Sequence, residues 1–200
     1  MQVTDMTDWD QLYVEGETPW NKGLPSPPMK QWVTHNKPSG NALVPGCGLG
    51  HDLLMLVKHE VDALGLDISE TAVARARETH PAIADRFVLG DLFATPADWK
   101  GSFDYVFEHT CLCALPPEWR GKYEQAVHTL LKPGGLLVGV WYMEPDMEPG
   151  ESGPPFGISV PELDHLFGAP RWQPVEDYIP TTAFDGRMGR ERLRVLRKTA

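Results

Sequence analysis

Two hundred residues are enough for one domain with its own core and short for two. Hydrophobic residues make up 42 % of them, which excludes a disordered polymer, and a formal charge of −10 argues against nucleic-acid binding through phosphate neutralisation. The three cysteines, Cys47, Cys111 and Cys113, are odd in number and form no C-x-x-C pair, so neither a disulfide framework nor a zinc site is expected. Reduced thiols, no basic-then-apolar signal pattern at residues 1–5 and no apolar run of membrane-spanning length predict a cytoplasmic protein with no membrane partner.

In chain order, residues 7–13 read as a short helix carrying Trp9, Leu12 and Tyr13. A turn follows at 15–20 and a proline-rich connector at 24–28. Ser26 is placed to cap a helix over 27–35 with Pro27 at its first position. In this leader, Trp32 reads as a core residue, whereas Trp20, flanked by Pro and Gly in a loop, reads as a ligand cover. Ala42-Leu43-Val44 is a buried strand. Glycines 46, 48 and 50 come next, and a helix begins at Asp52. The second strand, 63–67, ends at Asp67, and Ser69 caps a helix over 70–79. Strand three is 86–90, ending at Asp91, and strand four is 103–107, ending at Glu108 and His109. Pro117 opens a helix to Lys132, stopped by Pro133-Gly134-Gly135, and strand five is 136–142. Residues 144–156, rich in Pro, Gly and Glu, read as a lid; 161–167 is a short helix; 172–179 and 190–197 suit an antiparallel hairpin. Arginines 190, 192, 194 and 197 read as a solvated strand face.

Strand, glycine turn and helix open a nucleotide-binding βαβ unit, and Asp67 lies about 20 residues after the first glycine, where such units bind a ribose diol. The glycines allow positive φ and close backbone approach by a ligand. A dinucleotide site uses G-x-G-x-x-G, with the helix N-terminus facing a pyrophosphate. Here the spacing is G-x-G-x-G and His51 takes the place of the third glycine. An adenosyl group without phosphate still needs the close approach and the ribose carboxylate, which describes S-adenosylmethionine better than NAD. The competing reading is a glycine turn that binds nothing; Asp67 argues against it.

Five stretches in this order resemble class I S-adenosylmethionine-dependent methyltransferases: Gly46-Cys47-Gly48-Leu49-Gly50, Asp67, Gly90-Asp91-Leu92-Phe93, Phe103-Asp104-Tyr105-Val106-Phe107 and Leu131-Lys132-Pro133-Gly134-Gly135. Val44 stands where that class usually carries an acid. Together with Val44-Pro45-Gly46-Cys47-Gly48, the Thr18-Pro19-Trp20-Asn21 leader and Gly153-Pro154-Pro155-Phe156, this resembles the thiopurine S-methyltransferase family and its halide/thiol methyltransferase branch. The resemblance implies an α/β fold: one doubly wound, Rossmann-like, mostly parallel sheet with a C-terminal antiparallel hairpin, in a single domain over 1–200 whose residues 1–38 cover the cofactor site. It implies cofactor contacts at Trp9, Tyr13, Trp20, Gly46, Gly48, Asp67, Asp91, Leu92 and His109. Tyr13 stands where a Trp is common in the family, and His109 where its branches carry Tyr or Arg.

Methyl transfer from a sulfonium requires alignment and removal of water rather than a covalent protein nucleophile. Asp67 is expected on the ribose hydroxyls, Asp91 and Leu92 on the adenine, and Trp9 and Trp20 near the sulfonium. Glu108 is placed either to hold the methionine end or to cap a helix. His109 is the candidate catalytic residue, as base or cation for a small thiol, or as a polar residue at a strand end. Cys111 and Cys113 are expected beneath the substrate loop, and His51, His59, His80 and His128 at surfaces or helix ends. No metal is expected. The partner is a small-molecule acceptor (thiol, thiopurine-like, halide or sulfide), met by a monomer or weak homodimer. Methylation of oxygen or nitrogen, and a non-catalytic adenosyl-binding module, are the alternatives.

Overall fold

The computed structural model describes residues 7–148, 150 and 153–199. The expectation for residues 1–5 and part of the 144–156 lid therefore lie outside the described residues. The elements are α1 (Trp9–Glu15), α2 (Pro27–Asn36), β1 (Asn41–Pro45), α3 (His51–Lys58), β2 (Asp62–Asp67), α4 (Glu70–Thr79), β3 (Phe87–Leu89), β4 (Phe103–His109), α5 (Arg120–Leu130), β5 (Leu131–Tyr142), α6 (Val160–Leu166), β6 (Trp172–Tyr178) and β7 (Glu191–Lys198).

The strands form a seven-stranded sheet in the order β3-β2-β1-β4-β5-β7-β6. The first five are parallel, and β7 runs antiparallel to both β5 and β6, as the hairpin pattern predicts. Such strands are buried on both faces, so they read as continuous apolar runs like Ala42-Leu43-Val44, each less than 5 % exposed. On one face Met29 and Trp32 of α2, Leu53 and Leu56 of α3 and Val73 of α4 pack with Val44 and Phe107. On the other, Tyr123, Val127 and Leu130 of α5 and Leu163 of α6 pack with Val106, Trp141 and Trp172. The chain leaves β1 toward β2 and β3, then crosses back to place β4 on the opposite side of β1. That reversal opens a crevice at the carboxyl ends of β1 and β4, the usual ligand position in such sheets.

Three sequence expectations need correction. Ser26 lies at the start of α2, but its side chain makes no capping bond; its N–H instead donates to Asp52 Oδ1 at 2.7 Å. The helix expected to reach Lys132 ends at Leu130, because Leu131 already pairs with Phe103 across an irregularity that absorbs Pro133-Gly134-Gly135 into β5. The arginine face is only partly solvated: Arg194 is buried and its guanidinium bridges Asp164 at 2.8 Å and Asp177 at 2.9 Å. A β6–β7 hairpin docked under α6 encloses a side chain that an isolated hairpin would expose.

Candidate active site

A cavity of about 960 Å³ occupies the crevice. Its floor is the glycine turn. Gly46, Gly48 and Gly50 all have positive φ, at 60°, 51° and 80°. At Gly50 a Cβ would stand 2.3 Å from the Phe87 ring, so the turn is closed to side chains by packing as well as by backbone conformation. At Gly48 a Cβ would stand 2.6 Å from the Tyr13 hydroxyl, which shows how closely the leader sits on the turn.

Asp67 ends β2 at the cavity wall. Its Oδ2 accepts the Gly48 N–H at 2.7 Å and its Oδ1 the Ser69 N–H at 3.0 Å. The Ile68 N–H also bonds the carboxylate, so the Asp67 side chain is held by three backbone donors. Burial pushes its pKa up, and the backbone N–H bonds oppose that rise without cancelling it. Asp91 and Leu92 line the next stretch of wall, and Asp91 Oδ1 accepts the Phe93 N–H at 2.8 Å.

The leader closes one side. The ring of Trp20 meets Trp9 edge-on at 5.3 Å and Tyr13 at 5.7 Å, and its Nε1 donates to the Tyr13 hydroxyl at 3.0 Å. All three line the cavity. Asn21 Oδ1 takes a bond from the His51 ring at 3.0 Å, tying the Trp20 loop to the start of α3. His51 thus sits at a helix end, as expected, but also on the cavity wall. From the opposite side, Pro154, Pro155 and Phe156 reach the cavity, and the Phe156 N–H donates to the Cys113 carbonyl at 2.6 Å, which places Cys113 beneath that loop. Burial holds its thiol up at about 12, and pushes those of Cys47 and Cys111 well above the ordinary thiol range, so none is a ready nucleophile.

The end of β4 separates two neighbouring titratable groups. Successive strand residues face opposite sides of the sheet. Glu108 turns toward α5, is 1 % exposed, accepts the N–H groups of Cys111 and Leu112 at 3.0 Å each and the Tyr123 hydroxyl, and does not line the cavity. Of the two places expected for Glu108, these bonds match the capping one: the carboxylate holds the turn after β4. Thr110, a β-branched residue at φ 65°, supplies the left-handed step that bends those two N–H groups back.

His109 turns the other way, onto the cavity wall. Its Nδ1–H donates to Asp52 Oδ2 at 2.8 Å, the partner carboxylate being the one whose other oxygen holds Ser26. The ring stacks on Phe184 at 6.1 Å, and Nε2 is buried without a partner. Burial works to lower its pKa, and Arg187 opposes protonation, but Asp52 and Glu191 outweigh both and the net direction is up. Arg187 also lines the cavity, paired with Glu191 at 3.1 Å and stacked on Tyr142 at 4.5 Å. The sequence pattern did not single out Asp52, Phe184, Arg187 or Glu191. Asp52 was legible only as a helix-start residue; Phe184 and Arg187 reach the site by tertiary folding of the segment before β7, and Glu191 opens β7 itself.

A doubly wound sheet with a glycine turn, a carboxylate at the end of β2 and a C-terminal antiparallel hairpin defines the class I methyltransferase fold. Solved structures agree: the *Burkholderia thailandensis* 1,6-didemethyltoxoflavin-N1-methyltransferase, with bound S-adenosylhomocysteine, superposes with a TM-score of 0.76 at 20 % identity over 98 % of this chain and 87 % of that one. Within the class, the chain belongs to the thiopurine S-methyltransferase (TPMT) family, whose profile matches residues 4–178. It is 33 % identical to thiocyanate methyltransferase 1 of Arabidopsis thaliana over 92 % of this chain and 82 % of that protein. It is 35 % identical to the thiopurine S-methyltransferase of Vibrio cholerae over 66 % of this chain and 65 % of that protein. The protein is therefore a methyltransferase. Among the described residues no helix is long and apolar enough to cross a membrane, and no group of three or more His, Cys, Asp or Glu could hold a metal ion.

Proposed function

We propose that the cavity binds S-adenosylmethionine and that its methyl group passes to a small thiol-type acceptor held between His109 and the aromatic walls. One observation carries this reading: the Gly46–Gly48 turn with Asp67, and the His109–Asp52 pair, line a single cavity. The residues present fit the donor. Asp67 offers a carboxylate on the cavity wall to a ribose diol, Asp91 and Leu92 offer a carboxylate and an apolar edge to an adenine, and Gly46 and Gly48 leave the turn open to close approach. Trp9, Tyr13 and Trp20 cover the sulfonium end, excluding water and presenting π faces to a cation. When bound, S-adenosylmethionine supplies an electrophilic methyl carbon whose bond to sulfur breaks as the acceptor's lone pair attacks.

His109 prepares the acceptor. With its Nδ1–H committed to Asp52, a neutral ring has its basic lone pair on Nε2, which takes the proton from a thiol. The protonated ring instead attracts an acceptor that arrives as an anion. Arg187 adds a second positive charge on the same wall. The relatives named for thiocyanate and for thiopurines support a soft nucleophile of this kind, thiol, thiopurine-like, sulfide or halide. The free thiols suit a reducing compartment, the cytoplasm.

The test is mass-spectrometric detection of methylated product after incubation with S-adenosylmethionine and a panel of thiols, thiopurines, thiocyanate, halides and phenols. Products confined to the sulfur and halide acceptors are expected. Methylation of the phenols alone would overturn the acceptor class.

A further inference from the structure

The leader is fastened to the sheet at one place that its aromatic pattern does not explain. Asp10 projects from α1 onto the N-terminus of α4. Its Oδ1 accepts the Ser69 hydroxyl at 2.7 Å and the Thr71 N–H at 2.8 Å, and its Oδ2 accepts the Thr71 hydroxyl at 3.2 Å. Asp10 thus supplies from another segment an anion that the first turn of α4 favours, and these bonds hold its pKa down. Arg75, one turn further along α4, donates to the Tyr13 carbonyl at 2.6 Å. The two contacts grip α1 at both ends.

Ser69 joins this grip to the donor site. Its hydroxyl donates to Asp10 while accepting the Ala72 N–H at 2.9 Å, and its own N–H donates to Asp67 Oδ1 at 3.0 Å. Asp67 in turn holds Gly48, against which the Tyr13 hydroxyl rests. A closed circuit results: α1, Ser69, Asp67, the glycine turn, and back to α1 through Tyr13.

We propose that Asp10 is a positioning residue that couples docking of the aromatic leader to the donor-binding end of Asp67 through Ser69. Asp10 does not line the cavity. It holds the helix from which Trp9 and Tyr13 meet the cavity, and it shares with Asp67 the residue that orients the Asp67 carboxylate. The inference rests on the reading that the cavity holds S-adenosylmethionine.

The experiment uses the full chain with Asp10→Ala, Asp10→Asn, Trp20→Ala and the Asp10→Ala/Trp20→Ala double variant. Calorimetry with S-adenosylhomocysteine should show Asp10→Ala binding weakened by about 10- to 100-fold, the range set by losing charge-assisted hydrogen bonds. Asp10→Asn, which retains an acceptor for the Thr71 N–H, should recover part of that loss. In steady-state kinetics the KM for S-adenosylmethionine should rise while kcat at saturating donor stays near wild type. A merely structural role would not give the fourth result: Asp10→Ala should add little to the loss already present in Trp20→Ala, because both act through one leader. Trypsin cleavage after Lys22 should also be faster in Asp10→Ala and less protected by the ligand. If wild type binds the ligand and Asp10→Ala binds equally well, or if the two losses simply add, the coupling is overturned while the donor reading stands. If wild type does not bind the ligand, both fall together.

Discussion

Adjacent residues on a strand face opposite sides of the sheet, and at the end of β4 this gives two titratable groups separate tasks. Glu108 is consumed by the turn that follows it; His109 meets the cavity and Asp52. In the proposed reaction the neutral imidazole is the base, and its pKa is raised above the ordinary value of about 6.5. Turnover on neutral thiols should therefore increase as pH climbs through a midpoint above that value. Asp52→Asn removes the largest raising influence, so the midpoint should move down, which a pH–rate profile or the His109 ring shift in NMR will read. His109→Phe should lower turnover on such thiols by about 10²–10⁴-fold, the usual share of a general base. Acceptors already anionic at neutral pH should lose much less in the same variant. Wild-type rates on every thiol would remove His109 from proton transfer. For Asp67, replacement by Ala leaves a ribose diol without its acceptor, and affinity for S-adenosylhomocysteine should fall by about 1.5–3 kcal/mol. Because burial raises the Asp67 pKa, donor affinity should also weaken at mildly acidic pH sooner than an exposed carboxylate would require. Isothermal calorimetry across a pH series checks both.

At the scale of elements, the leader is the part whose removal should separate binding from folding. Trp20 is only half-buried and spends its contacts on Trp9 and Tyr13 rather than on the sheet core. Deleting residues 1–24 should abolish cofactor binding while circular dichroism still reports a folded sheet. A truncated protein that binds normally would return the leader to a packing role. Trp32 behaves in the opposite way. Its α2 position turns it into the core against Phe107 at 6.1 Å, as the amphipathic spacing of that helix implies. The two tryptophans differ in sequence context, loop against helix, and that context was sufficient to tell them apart. Their partners were not legible: the Tyr13 hydroxyl, Asn21 and His51 come together only because α1 is held on α4.

For the whole molecule, the carboxyl edge of the sheet and the packed face under α5 and α6 carry different duties. The cavity lies at the carboxyl ends of the strands, whereas Trp141, Phe167 and Trp172 form an aromatic cluster on the face covered by α5 and α6, with Trp141 and Phe167 centroids 5.1 Å apart. None of these three lines the cavity. Phe167→Ala should therefore destabilise the fold by about 3–5 kcal/mol through the void it leaves. Donor affinity below the unfolding transition should stay unchanged. Chemical denaturation alongside calorimetry tests this, and a parallel loss of affinity would show that the aromatic cluster and the cavity are coupled.

The sequence by itself determined the order of strands and helices, the glycine turn, the carboxylates at the ends of β2 and β3, and the antiparallel hairpin. These are local or periodic features: glycine spacing, apolar runs and cap residues act within a few positions of the chain. Tertiary structure alone decided which of the neighbours Glu108 and His109 reaches the cavity, since an apolar run buried on both faces carries no sign of which face is which. It also brought Asp52 to His109, Arg187 and Phe184 to the acceptor wall, and Asp10 to Ser69. Those pairs lie 57, 59 and 61 positions apart where the bonds are counted between His109 and Asp52, Asp10 and Ser69, and Asp10 and Thr71. No local propensity encodes such distances; they exist because the strand order reverses about β1 and the chain folds its leader and its C-terminal segment over the same crevice.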